Sequence, residues 1–121
     1  MKEPITCRLT IRFFGEEERC FGPGVACLLR NIQQSGSIRK AAQSMGMAYS
    51  KAWNILNRSE EMLGFPLLVR TAGGKTGGGA RLTPEGTAYL EQYETFCAKV
   101  NAFAQNTYLE MFAGEASGEK E

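Results

Sequence analysis

Two short helical segments joined by a glycine turn, within residues 35–56, constrain this chain more than any other feature. The first begins at Ser37, a typical N-cap residue, and ends at Gly46. The second begins at Ala48 or Tyr49. Apolar residues at helical spacing give each segment one inward face, with Ile38, Ala41, Ala42 and Met45 in the first and Ala52, Ile55 and Leu56 in the second.

The outward side of the second segment carries polar side chains suited to nucleic acid. Such groups reach phosphates and base edges, and the front of a second helix is what enters a major groove. The pattern predicts a helix-turn-helix with a recognition helix. An ordinary helical hairpin in a small helical domain fits these two segments equally well. The outward residues are Ser50, Lys51, Asn54 and Arg58.

The segment after the second helix favours the helix-turn-helix. Gly64 ends the helix, and residues 67–69 are expected to form a short buried strand. A glycine-rich tip at 71–79 separates it from a second strand at 80–82. A strand, a glycine-rich tip and a strand directly after a helix-turn-helix predict a wing. Its basic residues are Lys75 at the apex and Arg70 and Arg81 at the base.

The glycine-rich tip has two other interpretations. Gly74, Lys75 and Thr76 match the end of a phosphate-binding P-loop. That motif requires a glycine in place of Val69 and a helix directly after the threonine, whereas three more glycines follow here. A nucleotide site is therefore disfavoured, and a surface loop without a role is the remaining alternative.

The net charge of +1 conceals an uneven distribution along the chain. Residues 37–81 contain seven Lys or Arg against two Glu, a net charge of +5, whereas residues 82–121 have a net charge of −5. Positive charge is thus concentrated where the helix-turn-helix and wing are predicted. This distribution is typical of a nucleic-acid face, and a solvated basic face without a partner is the alternative.

Two motifs add a family resemblance: Tyr-x-x-Ala-Trp at 49–53 and Gly-Gly-Lys-x-Gly-Gly-Gly at 73–79. Together with Gly36-Ser37-Ile38 and Leu68-Val69-Arg70-Thr71, they closely resemble the N-terminal DNA-binding domain of the ModE-type molybdate-dependent transcriptional regulators. The likeness covers about Ile5 to Phe103, and its first part is also similar to the LysR-type winged helix.

The resemblance implies a DNA-binding transcriptional regulator with a link to molybdate transport or metabolism. In ModE proteins that carry them, additional C-terminal domains bind molybdate, and this sequence has no residues left to build one. We therefore expect a likeness to single-domain members, without molybdate sensing carried over. A separate effector-sensing protein is a further partner to consider.

The predicted DNA contacts fall into two classes. Ser50, Lys51 and Asn54 are expected to approach base edges. Phosphate contacts are expected from Ser37, Arg39, Lys40, Arg58, Lys75 and Arg81. Tyr49, Arg70 and Thr71 complete the predicted DNA-binding set. Trp53, the single tryptophan, is more typical of core packing than of a base contact.

The N-terminal part predicts a hairpin followed by a helix. Alternation from Ile5 to Phe14 indicates a half-buried strand, with Ile5, Cys7, Leu9, Ile11 and Phe13 inward. Residues 15–18 form a turn, and 19–21 pair back. After Gly22-Pro23-Gly24, a helix follows that completes a three-helix core, and its inward residues are Val25, Leu28, Leu29 and Ile32.

A long helix is predicted after the wing. Thr83 is its cap, Pro84 its first residue and Glu85 lies near the positive end of its dipole. An apolar seam along it suggests a homodimer that would place two recognition helices on one palindromic site. The alternative is that the N-terminal hairpin covers this apolar seam within one chain. The seam residues are Tyr89, Tyr93, Phe96, Val100 and Phe103.

Composition argues against an enzyme. The chain has no histidine, and Cys7, Cys20, Cys27 and Cys97 form no Cys-x-x-Cys pair. The usual zinc spacings and histidine-based catalysis are therefore disfavoured, and neither a metal nor a cofactor is predicted. Buried free thiols are the favoured interpretation, and a redox or thiolate metal site assembled in three dimensions is the alternative.

These features predict an α+β, mainly α fold in one domain, 1–113. It comprises a β-hairpin at 5–21, a winged helix core at 22–82 and a dimerisation helix at 83–113, before a disordered tail at 114–121. Neither a signal peptide nor a membrane span is expected, which makes the cytoplasm the default. A protein-interaction adaptor without direct DNA reading is the alternative function.

Overall fold

The computed structural model describes residues 4–71 and 79–113. Helices account for 63% of these residues, so the prediction of a mainly α, α+β winged helix-turn-helix is confirmed. They form two compact units. The first unit comprises residues 11–92, and the second comprises the described residues before 11 and after 92. The elements are β1 (Phe13–Gly15), β2 (Glu18–Phe21), α1 (Pro23–Ser35), α2 (Ile38–Ser44), α3 (Tyr49–Leu63), β3 (Leu68–Thr71), β4 (Gly79–Leu82), α4 (Pro84–Tyr108) and a π-helical turn (Leu109–Ala113).

Most of the predicted inward residues of α1, α2 and α3 are buried, whereas Met45 and Ile55 are half-buried. In α1 the four inward residues Val25, Leu28, Leu29 and Ile32 are all buried. Ala41 of α2 and Ala52 of α3 are also buried, and their small side chains allow the helices to approach closely. Gly36 ends α1 with a φ of 73°, a left-handed conformation that favours glycine.

The wing is an antiparallel pair in which Leu68 lies opposite Leu82 and Thr71 opposite Gly79. The Ala80 backbone N–H donates to the Gly36 carbonyl at 2.9 Å, which attaches β4 to the turn between α1 and α2. The tip at 72–78 lies outside the described residues, and with it the predictions for Lys75 and for the P-loop alternative.

The predicted strand from Ile5 to Phe14 is wrong over most of its length, because β1 begins only at Phe13. A strand needs a partner, and β2 ends at Phe21, where the chain turns into α1. The pairing between β1 and β2 is irregular and ends at Phe13, which lies opposite Phe21, so no part of β2 is left to pair with residues before Phe13. Ile5 and Leu9, predicted to face inward, are 67% and 45% exposed.

Residues 4–10 belong to the second unit, where side chains of α4 bind their backbone. The N–H of Cys7 donates to the Gln105 Oε1 at 2.6 Å. The Asn101 amide pairs with both backbone groups of Leu9, accepting from its N–H at 2.7 Å and donating to its carbonyl at 3.1 Å. The segment therefore lies along one side of α4 in place of a strand.

The predicted cap of α4 is confirmed. The Thr83 hydroxyl accepts from the Gly86 N–H at 2.8 Å and donates to the Pro66 carbonyl at 2.7 Å. It thus joins the start of α4 to the loop before β3. Gly86 is buried at this junction, where an added Cβ would lie 2.3 Å from the Leu67 carbonyl oxygen.

The predicted seam of α4 divides into covered and exposed parts. Tyr89 makes edge contacts with the rings of Phe13, Phe21 and Phe65, so the hairpin covers this end of the seam. Tyr93 is buried. Phe96 and Phe103 are 46% and 73% exposed and lie nearly opposite Asn101 on the helix.

The four cysteines are free but not uniformly buried. Cys20 is buried, Cys7 and Cys97 are half-buried, and Cys27 is exposed, so the buried-thiol interpretation is wrong for Cys27. Within residues 4–71 and 79–113 there is no group of three or more potential metal ligands. Nor is any helix in that part of the chain long and apolar enough to cross a membrane.

Candidate nucleic-acid interface

The outward row of α3 is on the surface as predicted. Ser50, Lys51, Asn54 and Arg58 are all exposed. Ala52, Leu56 and Ser59 on the other side of the helix are buried. Because burial of one side fixes the rotation of α3, the opposite row of polar side chains is held toward solvent.

Helix α2 is tied to the start of α3 by Arg39 and Tyr49. The Arg39 guanidinium lies 4.3 Å from the centroid of the Tyr49 ring, a cation–π contact between the two helices. Both residues are exposed. The structure thus brings these two predicted contact residues together beside the N-terminus of the recognition helix.

The Ser37 hydroxyl has a structural partner. It accepts a hydrogen bond from the Lys40 backbone N–H at 3.1 Å and caps α2. The side chain of Lys40 is exposed. Ser37 therefore orients the first turn of α2, while the Lys40 ammonium remains available to a phosphate.

Arg70 is engaged within the chain, although the sequence analysis placed it among DNA contacts. Its Nη2 donates to the Asn57 Oδ1 at 3.0 Å, and its Nη1 lies 3.4 Å from the Glu60 Oε1. The same guanidinium lies 4.7 Å from the centroid of the half-buried Trp53 ring. Arg70 thus connects β3 to three residues of α3.

Glu60 is an organising residue that the sequence analysis missed. Its Oε2 accepts from the backbone N–H of Leu67 at 2.8 Å and of Leu68 at 3.1 Å. Its other oxygen faces Arg70. The available clue was composition, because Glu60 and Glu61 are the two acidic residues in the basic segment 37–81.

Ser59 is a second missed residue, which holds α3 to the hairpin. Its buried hydroxyl donates to the Cys20 carbonyl at 2.5 Å. Burial also raises the pKa of the Cys20 thiol. The pKa of Tyr89 is raised by burial and, to a lesser extent, by Cys20.

At the base of the wing, Thr71 and Arg81 differ in their surroundings. The Thr71 Oγ1 accepts from the Gly79 N–H at 2.9 Å, which closes the ribbon. The Arg81 side chain is exposed. Among the predicted contact residues that the structure describes, the exposed cations are Arg39, Lys40, Lys51, Arg58 and Arg81, while the Glu60 carboxylate is engaged with Arg70. An excess of exposed positive charge can attract and hold a phosphate backbone.

The sequence of this region is similar to that of known proteins. The family model for bacterial regulatory helix-turn-helix proteins of the lysR family matches residues 27–87, which include α2, α3 and the wing. This match covers half of the chain.

Individual relatives match the same region. The transcriptional regulator ModE of Yersinia pestis is 34% identical over 90 residues, covering 74% of this chain and 32% of that protein. The ModE regulator of Haemophilus influenzae is 42% identical over 67 residues, covering 55% and 26%. The molybdenum transport protein ModE of Azotobacter vinelandii is 38% identical over 66 residues, covering 54% and 24%. The chain thus spans about a third or less of the length of these relatives.

Proposed function

The chain belongs to the lysR family of bacterial regulatory helix-turn-helix proteins, and we propose that it is a sequence-specific DNA-binding transcriptional regulator that acts in the cytoplasm. The observation that carries this proposal is the exposed polar row of α3, which Glu60 and Arg70 couple to the wing. Such a surface suits a helix entering the major groove with a ribbon alongside it.

The proposed contacts follow from exposure and side-chain chemistry. Ser50, Lys51 and Asn54 contact base edges, since they lie on the first two turns of α3. Arg39, Lys40, Arg58 and Arg81 contact phosphates, together with Lys75. Tyr49 and Thr71 border this surface. Ser37 and Arg70 serve mainly as positioning residues, because their polar groups already have partners within the chain.

We also propose a homodimer formed through α4. Support comes from the exposed apolar side chains along α4 and the π-helical turn, including Phe103, Leu109, Met111 and Phe112. Several exposed apolar side chains along one segment are typical of a protein interface. Phe96 and Val100 extend the contact. Tyr93 is buried within the chain and Tyr89 lies in the aromatic cluster, so these two seam residues lie outside the proposed dimer contact. A two-fold dimer would read two half-sites about 34 Å apart or a multiple of it.

The link to molybdenum rests on the relatives. One is named as a molybdenum transport protein, and we propose that this chain regulates genes of molybdate transport or metabolism. A separate effector-sensing protein remains part of this proposal as a further partner of the regulator.

The test is binding of the full chain to promoter DNA upstream of its own gene, measured by fluorescence anisotropy at several salt concentrations. We expect selective binding that weakens steeply with salt, because phosphate contacts release counterions. Lys51→Ala should cost about 1–3 kcal/mol and relax sequence preference. Lys99→Ala, in the acidic segment, is the matched control and should bind normally. Salt-insensitive or unselective binding would contradict the proposal.

The second candidate function is a protein-interaction adaptor, favoured by the exposed apolar residues of the π-helical turn. It requires no phosphate contact and hence no salt dependence of DNA binding. Sedimentation of the chain separates the two uses of α4. The homodimer is supported if the chain sediments as a dimer, if Phe103→Ser dissociates this dimer, and if Phe14→Ser on the hairpin leaves it intact.

A further inference from the structure

A cavity of about 280 Å³ lies between β2, the start of α1 and α3. Its volume is at the lower end of the range for small-molecule sites. All of its lining residues belong to the first unit, 11–92. Two of the predicted DNA contacts, Lys51 and Arg58, line the cavity together with residues that have no predicted role in DNA binding.

Four cations line the cavity. Arg12 and Arg19 come from the hairpin region, and Lys51 and Arg58 lie two turns apart on α3. Among the described residues, none of the four has a carboxylate within 4.0 Å. Four cations around one cavity, without an ion-pair partner in the described part of the chain, favour an anion, and guanidinium groups bind phosphates and carboxylates in a two-pronged geometry.

Most of the remaining cavity wall is apolar, although the buried Ser59 also lines it. It includes Val25 of α1, Met47 of the turn before α3 and Ile55 of α3. A fully hydrated inorganic ion would leave this wall without a partner, whereas a ligand with an apolar body buries it. The volume allows a body of about one ring.

We propose that this cavity binds a small organic anion, with a phosphate or carboxylate held by the four cations and an apolar body against α1 and α3. The ligand would share Lys51 and Arg58 with the DNA surface. Ligand and DNA therefore compete, which makes the cavity a regulatory site. This competition rests on the proposed DNA-binding function, whereas ligand binding itself does not.

Ligand binding is tested without DNA, by NMR titration of the full ¹⁵N-labelled chain with phenyl phosphate and with benzoate. We expect saturable shifts at Gly22, Gly24 and Ile55 for at least one of them. Inorganic phosphate has the anionic group without the apolar body, and phenol has the ring without the anionic group, so both should bind more weakly. Shifts outside the cavity only, or none with either probe, would overturn the site.

The variant Arg19→Gln tests whether the cations are responsible for ligand binding in the cavity. This exposed residue should be replaceable without unfolding, as the NMR spectrum will show, and the affinity for the better probe should fall about tenfold or more. Arg81→Gln removes an exposed arginine outside the cavity and should leave ligand affinity unchanged. Equal affinity in wild type and Arg19→Gln would overturn the assignment, and Arg12→Gln provides a second variant should Arg19→Gln unfold.

Competition is tested by adding the better probe to the protein–DNA complex at constant ionic strength. We expect weaker DNA binding by wild type and little effect on Arg19→Gln, which lies outside the proposed DNA contacts. Ligand binding without a change in DNA affinity would overturn the regulatory role. If wild type binds no DNA at all, the proposed function fails, and the NMR titration still decides the site.

Discussion

The carboxylate of Glu60 on α3 lies 2.8 Å from the backbone nitrogen of Leu67, the residue that precedes β3. With its second acceptor bond, to Leu68, and its pairing with Arg70, this carboxylate fixes the first strand of the wing to the recognition helix. The two parts of the proposed DNA surface are thereby held at one spacing, which lowers the entropy that binding would otherwise cost.

Glu60→Ala should destabilise the fold, because it leaves two backbone N–H groups without their acceptor and removes one of the two polar partners of Arg70, which keeps only its bond to Asn57. The expected loss in the free energy of unfolding is about 1–3 kcal/mol, measured by urea denaturation. Glu61→Ala, at the exposed neighbouring position, should change it by no more than about 0.5 kcal/mol. Equal effects of the two substitutions would show that the contacts of Glu60 are unimportant.

Gly86→Ala should be severely destabilising, because the new methyl group would lie 2.3 Å from the backbone oxygen of Leu67. Relief requires movement of α4 away from the loop before β3, and the expected cost is at least about 2 kcal/mol. In the control Gly24→Ala, the added Cβ meets nothing within 4 Å. That variant should stay within about 1 kcal/mol of wild type or gain stability. Thermal unfolding of both proteins checks this contrast.

Ser37→Ala should cost about 1 kcal/mol of stability, because α2 loses the hydrogen bond from Lys40 to its cap. Ser50→Ala is the matched control, since Ser50 is exposed and stands outside the capping geometry of α3. Its stability should be unchanged, while its DNA affinity should fall if it contacts a base. Unfolding and DNA-binding measurements on the same pair thus separate a structural serine from a proposed contact serine.

Stability should decline in alkaline solution partly through Cys20. Burial raises the pKa of this thiol in the folded chain above the usual 9.0, so the unfolded chain loses its proton first as the pH rises. The contribution of the protonated Cys20 thiol to the free energy of unfolding is therefore fully present below pH 9.0 and is lost as the pH rises above it. Cys20→Ala should show a shallower decline in urea unfolding between neutral and alkaline pH. Cys27→Ala, at an exposed thiol, should decline like wild type.

Arg81→Ala should weaken DNA binding similarly for all sequences, because an exposed arginine at the base of the wing is proposed to contact a phosphate. The slope of log affinity against log salt should become shallower by about 1. A loss of sequence preference instead would assign Arg81 to base contacts. Lys99→Ala again serves as the control with an unchanged slope.

Features encoded by local spacing could be predicted from the sequence. The cap at Ser37, the glycine at the end of α3 and the buried row of α1 each depend on neighbours a few residues away. The strand from Ile5 was predicted wrongly because alternation indicates an extended chain without identifying a partner. Glu60 and Ser59 escaped notice because their partners, Leu67 and Cys20, are defined only once the chain has folded.

The pairing of Asn101 with Leu9 has a consequence for self-association. An extended segment normally presents free backbone groups onto which a strand of another molecule can add. At Leu9 one side-chain amide supplies both the donor and the acceptor that such a strand would offer. The protein thereby blocks intermolecular strand addition at this residue, using a single asparagine where other folds place a lysine, a proline or a bulge.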